Sequence, residues 1–384
     1  MPLPTPGTTV PISSGALSLT QLHMVSASVG WALATPPQGS GLGHLVRTTD
    51  GGSHWNGVGL PSDINTPNIE AVDFHDDQHA WVLVILGAES TSSHESAVVA
   101  STGDGGNHWT TTPRFAIDGH GTALQFIDAV HGWVFATPGA GGAIGAGDTT
   151  LYRTADGGQH WQVSKPPSQI RQNNGIAGRL PEACPMGGPV GRPVFTDAAT
   201  GWLGAFCDHP FFFKTGDGGL SWTMQPLPPF PGPADAPGTL HSVDSFQRIT
   251  ASDFIVVHHR GFTTGGNALQ EAAIYLTHDA GASWTPYRLP YPELAAKFLD
   301  PLHGWMIGAG PGGDIERRSL YATADGGRSW RLLDGPAAYY ARDLNFVDTM
   351  TGFIAVPAVH DSAPELLRTT NGGTSWGGVQ TVIS

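Results

Sequence analysis

The chain has 384 residues, only 13% of them charged, with 53 glycines and 31 prolines set among 40% hydrophobic residues. That balance belongs to many short strands joined by tight turns around a sizeable apolar core, and it excludes a disordered polyelectrolyte. A formal net charge of −14, with no basic run beyond Arg317–Arg318, excludes a partner bound through its phosphate backbone, and no apolar run is long enough to cross a bilayer as a helix.

Residues 1–16, rich in Pro and Thr, have neither a basic n-region nor an apolar h-region. They read as a linker of the kind that follows a removed signal, lipid anchor or membrane helix, so an extracytoplasmic location is expected. From residue 17 onward one nonapeptide recurs about every fifty residues. Its pattern is T-x-D-G-G-x-x-W, with Asp50, Asp104, Asp156, Asp217, Asp279, Asp325 and Asn371 at the acidic position. Ala280 replaces the first glycine of the fifth copy.

Upstream of each copy stands an aromatic or Met followed by a G-W-like pair: Met24/Trp31, Phe74/Trp81, Phe126/Trp133, Phe195/Trp202, Phe246/Phe254, Phe298/Trp305 and Phe346/Phe353. All 12 tryptophans fall on these two motifs, which leaves none for an unrelated domain. Each unit reads as four strands, A to D. A ends at the aromatic (Ile69–Phe74), B starts at the G-W (Gly132–Thr137), C runs into the motif Thr (Thr150–Thr154), and D starts at the motif Trp. Alternating apolar residues and glycine-rich turns support strands throughout.

The reading is therefore an all-β, seven-bladed β-propeller of four-stranded antiparallel blades over 17–384. The blades are 17–61, 62–115, 116–167, 187–228, 238–290, 291–336 and 338–384, with a loop inserted at 165–191. Radial blades hide most sheet edges. The Gly-Gly pair suits a turn with positive φ, and the Asp or Asn oxygen suits an acceptor for turn N–H groups, assisted by the Thr hydroxyl.

The nonapeptide resembles the Asp-box, or bacterial neuraminidase repeat. Joined to F-x-D-x-x-x-G-W, it is most similar to propellers related to the photosystem II assembly and stability factor, and it is shared with sialidases, the sortilin ectodomain and xyloglucan-active glycosidases. The resemblance covers 17–384 and implies the sialidase-type superfold. It assigns the motif Asp residues to structure and implies no single activity. The F/Y-R-I-P segment of sialidases is absent.

In such a topology the A–B and C–D turns share one face, and the B–C loops and D-to-A crossovers share the other. The second face is expected to carry function. Cys184, in the insert, and Cys207, in the next B–C loop, meet there and are expected to form a disulfide of an oxidising compartment.

The starts of the A strands bring Glu70, His120, Arg192, His241, Glu293 and the cluster Tyr339, Tyr340, Arg342 and Asp343 to this face. Long B–C loops add His258, His259 and Arg260, with Glu271 and 314–318. The histidines are expected to be solvated loop residues, and no spaced His/Glu motif points to a metal or other cofactor.

Two functions follow. The first is a monomeric, non-catalytic, extracytoplasmic binding or assembly propeller for a protein, peptide or glycan. The second is a glycoside hydrolase or polysaccharide lyase using Glu70, Glu293, Asp343 and Tyr340, since glycosidic cleavage needs two carboxylates across a pocket.

Overall fold

A computed structural model describes residues 5–6, 17–35, 43–64, 68–88, 95–117, 120–137, 150–164, 188–264, 267–311, 313–333, 343–356 and 365–384. In chain order a short β1 (Thr5–Pro6) precedes the first repeat, β2 (Ser18–Met24), β3 (Gly30–Thr35), β4 (His44–Thr48) and β5 (His54–Gly57). The second repeat is β6 (Asn68–Phe74), β7 (Ala80–Ala88), β8 (Glu95–Thr102) and β9 (His108–Thr111). After β10 (Phe115–Ile117) comes the third, β11 (His120–Phe126), β12 (Gly132–Thr137), β13 (Thr150–Thr154) and β14 (Gln162–Ser164). The fourth is β15 (Gly188–Phe195), β16 (Gly201–Cys207), β17 (Phe211–Thr215) and β18 (Thr223–Pro226). The fifth is β19 (Leu240–Arg248), β20 (Phe254–Thr264), β21 (Asn267–Thr277) and β22 (Thr285–Arg288). The sixth is β23 (Glu293–Phe298), β24 (Gly304–Gly310), β25 (Asp314–Thr323) and β26 (Arg331–Leu333). The last is β27 (Asp343–Phe346), β28 (Gly352–Val356), β29 (Glu365–Thr369) and β30 (Gly377–Val379), followed by β31 (Val382–Ile383).

The chain divides into two compact units. One comprises Met1–Leu86, Ala97–Thr112 and Glu293–Ser384; the other comprises Gly87–Ser96 and Pro113–Pro292. Within each repeat neighbouring strands pair antiparallel in sequence order, as in β11-β12-β13-β14, β23-β24-β25-β26 and β27-β28-β29-β30.

The hairpin between the third and fourth strands shows why the nonapeptide is kept. In the first copy the Thr48 hydroxyl donates to Asp50 Oδ1 at 3.0 Å and accepts the Gly52 N–H at 3.0 Å, while Asp50 Oδ1 also accepts the His54 N–H at 2.9 Å. Asn371 makes the same bonds through Oδ1, from Thr369 at 2.9 Å and from the Ser375 N–H at 2.9 Å. The first turn glycine then donates across to the turn between the first two strands: Gly51 to Ser28 O, Gly105 to Gln78 O, Gly157 to Val130 O, Gly218 to Ala199 O, Gly326 to Leu302 O and Gly372 to Met350 O. The two turns of a repeat therefore sit at one end, as the topology predicts. Ala280 makes the same bond to Ser252 O while held at φ 55°, a left-handed conformation costly for any residue with a Cβ.

Packing follows from the second motif. Trp31, Trp133 and Trp305 each lie flat on the aromatic that ends the next repeat's first strand. Ring centroids are 3.8 Å apart for Trp133 on Phe195 and 3.6 Å for Trp305 on Phe346. Two indole N–H groups also donate to the neighbouring repeat's hairpin, Trp133 to Gly218 O at 2.9 Å and Trp305 to Gly372 O at 3.1 Å. The aromatic crosses over the glycine of the G-W pair. A Cβ on Gly132, Gly201, Gly304 or Gly352 would meet the ring of Phe126, Phe195, Phe298 or Phe346 at 2.6 Å or less.

Several expectations need correction. In the fifth repeat the pair is not Phe246/Phe254. Arg248 faces Phe254 in the register, so Phe254 occupies the glycine position and itself packs on Trp202 at 4.5 Å. His258, His259 and Arg260 are not loop residues but lie in β20, which pairs with β21 as far as Thr264 opposite Asn267. Glu271 lies in β21, and 314–318 lie in β25. Cys207 ends β16, and the inserted segment has become strand by Gly188. The last repeat finishes at Val379. Residues 382–383 instead form a fifth, parallel strand on β5 of the first repeat. Thr5–Pro6, within the expected linker, pairs with β9.

Replacing Ala280 by Gly should raise stability by ~1 kcal/mol in chemical denaturation, because the left-handed turn loses its Cβ penalty. Gly52→Ala should lower stability by more than this gain, since φ is 91° there and the new Cβ would lie 2.3 Å from Leu366.

Candidate functional site

The fifth repeat gathers the polar side chains that the other repeats leave apart. Its first strand, β19, also pairs with β16 of the fourth repeat, placing Cys207 opposite His241, Phe206 opposite Ser242 and Ala205 opposite Val243. The two repeats share one continuous sheet at this edge. In the β19–β20–β21 register His241 faces Arg260, Val243 faces His258, and Arg260 faces Glu271. Alternation in β20 turns His258 and Arg260 inward, where both are buried, and leaves His259 half-buried on the other side.

His258 Nε2 lies 2.9 Å from His241 Nδ1, and His258 Nδ1 lies 3.1 Å from the Tyr275 hydroxyl. Burial drives the His258 pKa down to about 3, aided by the charges of His241, His259 and Arg260. Burial likewise lowers His241, although Asp235 pulls the other way, and burial raises Tyr275 above its ordinary value. All three groups are therefore neutral at pH 7.

One hydrogen arrangement satisfies them. The Tyr275 O–H donates to His258 Nδ1, His258 Nε2–H donates to His241 Nδ1, and His241 Nε2–H points toward the Asp235 carboxylate, 3.6 Å away. The reverse order would set an imidazole lone pair against that carboxylate. His241 Nε2 makes no hydrogen bond among the described residues.

Arg260 is the fixed charge of the cluster. Its Nε donates to Glu271 Oε2 at 2.7 Å, and Nη1 donates to Asp235 Oδ1 at 2.8 Å and to the Pro233 carbonyl at 3.0 Å. Arg288 also bonds Glu271. The guanidinium lies 4.0 Å from the Phe230 ring centroid, and the edge of that ring packs on His258. The connector 227–239, between β18 and β19, is thereby strapped over the histidine pair through Phe230, Pro233 and Asp235. The arrangement can hold a loop rigidly, and in form it is also a chain along which a proton could pass from a phenol through two imidazoles.

The other expected residues that the structure describes belong to other strands. Glu70 accepts a bond from Asn68 Nδ2 at 2.8 Å within β6, and Asp343 Oδ2 accepts the Leu22 N–H at 3.3 Å. Arg192 is exposed on β15. Glu293 and His120 begin β23 and β11, opposite Gly308 and Thr137, with side chains outside the described residues. Tyr339, Tyr340, Arg342 and Cys184 lie outside the described residues altogether.

Sequence reasoning missed Tyr275, Asp235, Phe230 and Arg288. A signal for Tyr275 was present, because Tyr152 and Tyr321 stand at the same place, two residues before the motif Thr. Among the described residues one group, Cys207, Asp208 and His209, brings possible metal ligands within 4.8 Å of one another. Its members are sequence neighbours, and Asp208 already engages His209 Nδ1 at 2.7 Å. The group is no built metal site.

Among family models none matches the chain, and no curated protein matches it. Solved structures do. The YCF48 protein bound to a D1 peptide is 15% identical, with a TM-score of 0.52 over 96% of both chains. A family 74 xyloglucanase from Xanthomonas campestris is 16% identical, with a TM-score of 0.54 over 96% of this chain and 54% of its own, so this chain spans about half of that enzyme. An ulvan lyase of polysaccharide lyase family 25 is 11% identical, with a TM-score of 0.51 over 95% of this chain and 96% of its own. The fold is thus a β-propeller.

Because folded His258 titrates far below an ordinary imidazole, the folded state resists a proton that the unfolded chain accepts. Its contribution to stability is complete above pH 6.5 and is lost as pH falls from 6.5 toward 3, by up to about 1.4 kcal/mol per pH unit. Urea unfolding between pH 7.5 and 4.5 should show a shallower acid slope in His258→Phe than in the parent. Tyr275→Phe, which leaves a buried imidazole nitrogen without its donor, should cost about 1–3 kcal/mol at pH 7.5.

Proposed function

We infer that the protein is a non-catalytic binding propeller of seven blades that works outside the cytoplasm and presents the end bearing the His241–Arg260 cluster to a peptide, protein or glycan. The observation that carries this reading is the sealing of the cluster. His241, His258 and Arg260 are buried, Arg260 is matched by two carboxylates, and the connector 227–239 covers them. Such a network shapes and stiffens a surface, leaving Arg192, Asp208 and Arg288 exposed for contact. The carboxyl groups held below their ordinary range are turn aspartates such as Asp50, Asp156 and Asp325, a direction opposite to that required of a general acid. The likeness to YCF48 bound to a D1 peptide supports a peptide as the ligand class.

An oxidising compartment fits a Cys184–Cys207 disulfide, which would fasten the insert beside this cluster, since Cys207 is buried where β16 meets His241. Alkylation followed by intact mass should show both sulfurs protected until a reductant is added.

The second reading, a carbohydrate-active hydrolase or lyase, draws on the Tyr275–His258–His241 chain, which would act if the connector lifted. A polysaccharide and glycan screen with product mass detection separates the two. The binding reading expects no turnover, together with retention on a peptide array that weakens at least tenfold in Arg192→Glu or Arg288→Glu. Turnover abolished by Tyr275→Phe or His241→Gln would replace it with the enzymatic one. Arg260→Ala should in either case destabilise by ~3 kcal/mol, the lower end for a buried pair because both carboxylates retain some solvent.

A further inference from the structure

The outer strand of every repeat offers a row of backbone donors and acceptors, and the chain treats these edges differently. On β5 the edge is occupied. Val382 N–H donates to Ser53 O at 2.9 Å, Ser384 N–H donates to Trp55 O at 2.9 Å, and Gly57 N–H donates to Ser384 O at 2.6 Å. On β9 it is also occupied, with Thr5 opposite Trp109 and Pro6 opposite His108. Both motif tryptophans on these covered edges, Trp55 and Trp109, are completely buried. β18 and β22 carry Pro226 and Pro286, and a proline removes the edge N–H that an added strand needs. β30 opens on Gly377 and Gly378, which offer no side chain to pack against.

β14 has none of these features either, but Phe115 is stacked on its motif tryptophan, Trp161, at 4.8 Å. β26 has neither these features nor a stacked ring. It is the outermost strand of its sheet among the described residues, and it lies in the same compact unit as the two occupied edges. Counted from the motif Asp, Trp330 and Leu332 stand where Trp55 and Gly57 stand in the first repeat, with Leu332 opposite Tyr321 as Gly57 is opposite Val46. The Trp330 carbonyl and the Leu332 N–H therefore point away from β25. Their side chains are left open as well: Trp330 is only half-buried, and Leu332 is 39% exposed.

We propose that the edge of β26 receives an extended, β-branched apolar peptide segment of another protein as an added strand. The occupied edge of β5 describes the occupant. There Ile383 packs into the core cluster that contains Trp55, while its neighbour Val382 points outward and is 53% exposed. Backbone hydrogen bonds supply affinity, and a single alternate side chain lying over Trp330 and Leu332 supplies selectivity. The proposal needs nothing from the polar cluster of the fifth repeat.

The probe is a synthetic peptide of residues 378–384, Gly-Val-Gln-Thr-Val-Ile-Ser, added to the full chain at up to millimolar concentration. Amide hydrogen exchange is read by mass spectrometry. Exchange in the segment 330–333 should slow at least fivefold, and the effect should vanish in Leu332→Pro. That variant should keep its thermal midpoint, because Pro286 already occupies the same place in the fifth repeat. The proposal is overturned by no protection at millimolar peptide, by protection confined to 53–57 through exchange with the resident strand, or by equal protection in Leu332→Pro. Sedimentation showing dimers of the parent chain that Leu332→Pro dissolves would give the edge to a second copy, and would overturn it too.

Discussion

The hydrogen bond on which this architecture leans runs from the first residue of the Gly-Gly turn, or Ala280 in the fifth hairpin, to the carbonyl of the neighbouring turn. It forms only if the backbone enters the left-handed region twice in succession, as at Gly51 and Gly52. The Thr hydroxyl and the Asp or Asn oxygen hold it there by taking up turn N–H groups that would otherwise be left without partners. Once the two turns are clasped, the register of all four strands is set, and the second-strand Trp comes to lie where the next repeat's aromatic needs a flat partner. Local backbone geometry thus prepares the inter-repeat stacking, with Trp133 on Phe195 and Trp305 on Phe346 as its tightest forms.

Much of this could be read from residue order, because the signals are short and repeat. The C–D hairpins, the third strand beginning at Thr150 and the second at Gly132 stand where spacing puts them. The fifth repeat was misread for a physical reason. The motif aromatic and its partner glycine form a size-complementary pair, and there it is replaced by Arg248 at the aromatic's place and Phe254 at the glycine's. Matching residue type found a Phe but not its role. Long B–C connections were likewise taken for loops, since nothing local distinguishes a loop from a hairpin that continues outward, as β20 and β21 do.

The polar cluster was only half legible. His241, His258 and Arg260 were recognised as candidates, but their burial was not, because it depends on a connector whose sequence, rich in proline and glycine, gives no sign of lying over them. Asp235 and Phe230 belong to that connector and become meaningful only through Arg260. The network is costly to assemble, as neutral imidazoles and a matched guanidinium must leave water together. Its strength lies in definition: a Tyr, two His and an Arg allow the covering segment one seating.

The parallel strand that Val382 and Ile383 add to β5 has a consequence for biosynthesis. The first repeat leaves the ribosome well before the strand that covers it, and its outer strand stays bare until residues more than three hundred positions later have been made. Through that interval the repeat carries an unpaired edge and an uncovered Trp55, the kind of surface that chaperones hold and neighbouring nascent chains stick to. Prematurely terminated products would keep it exposed. The strand therefore marks, at the surface of the first repeat, that synthesis has passed residue 383.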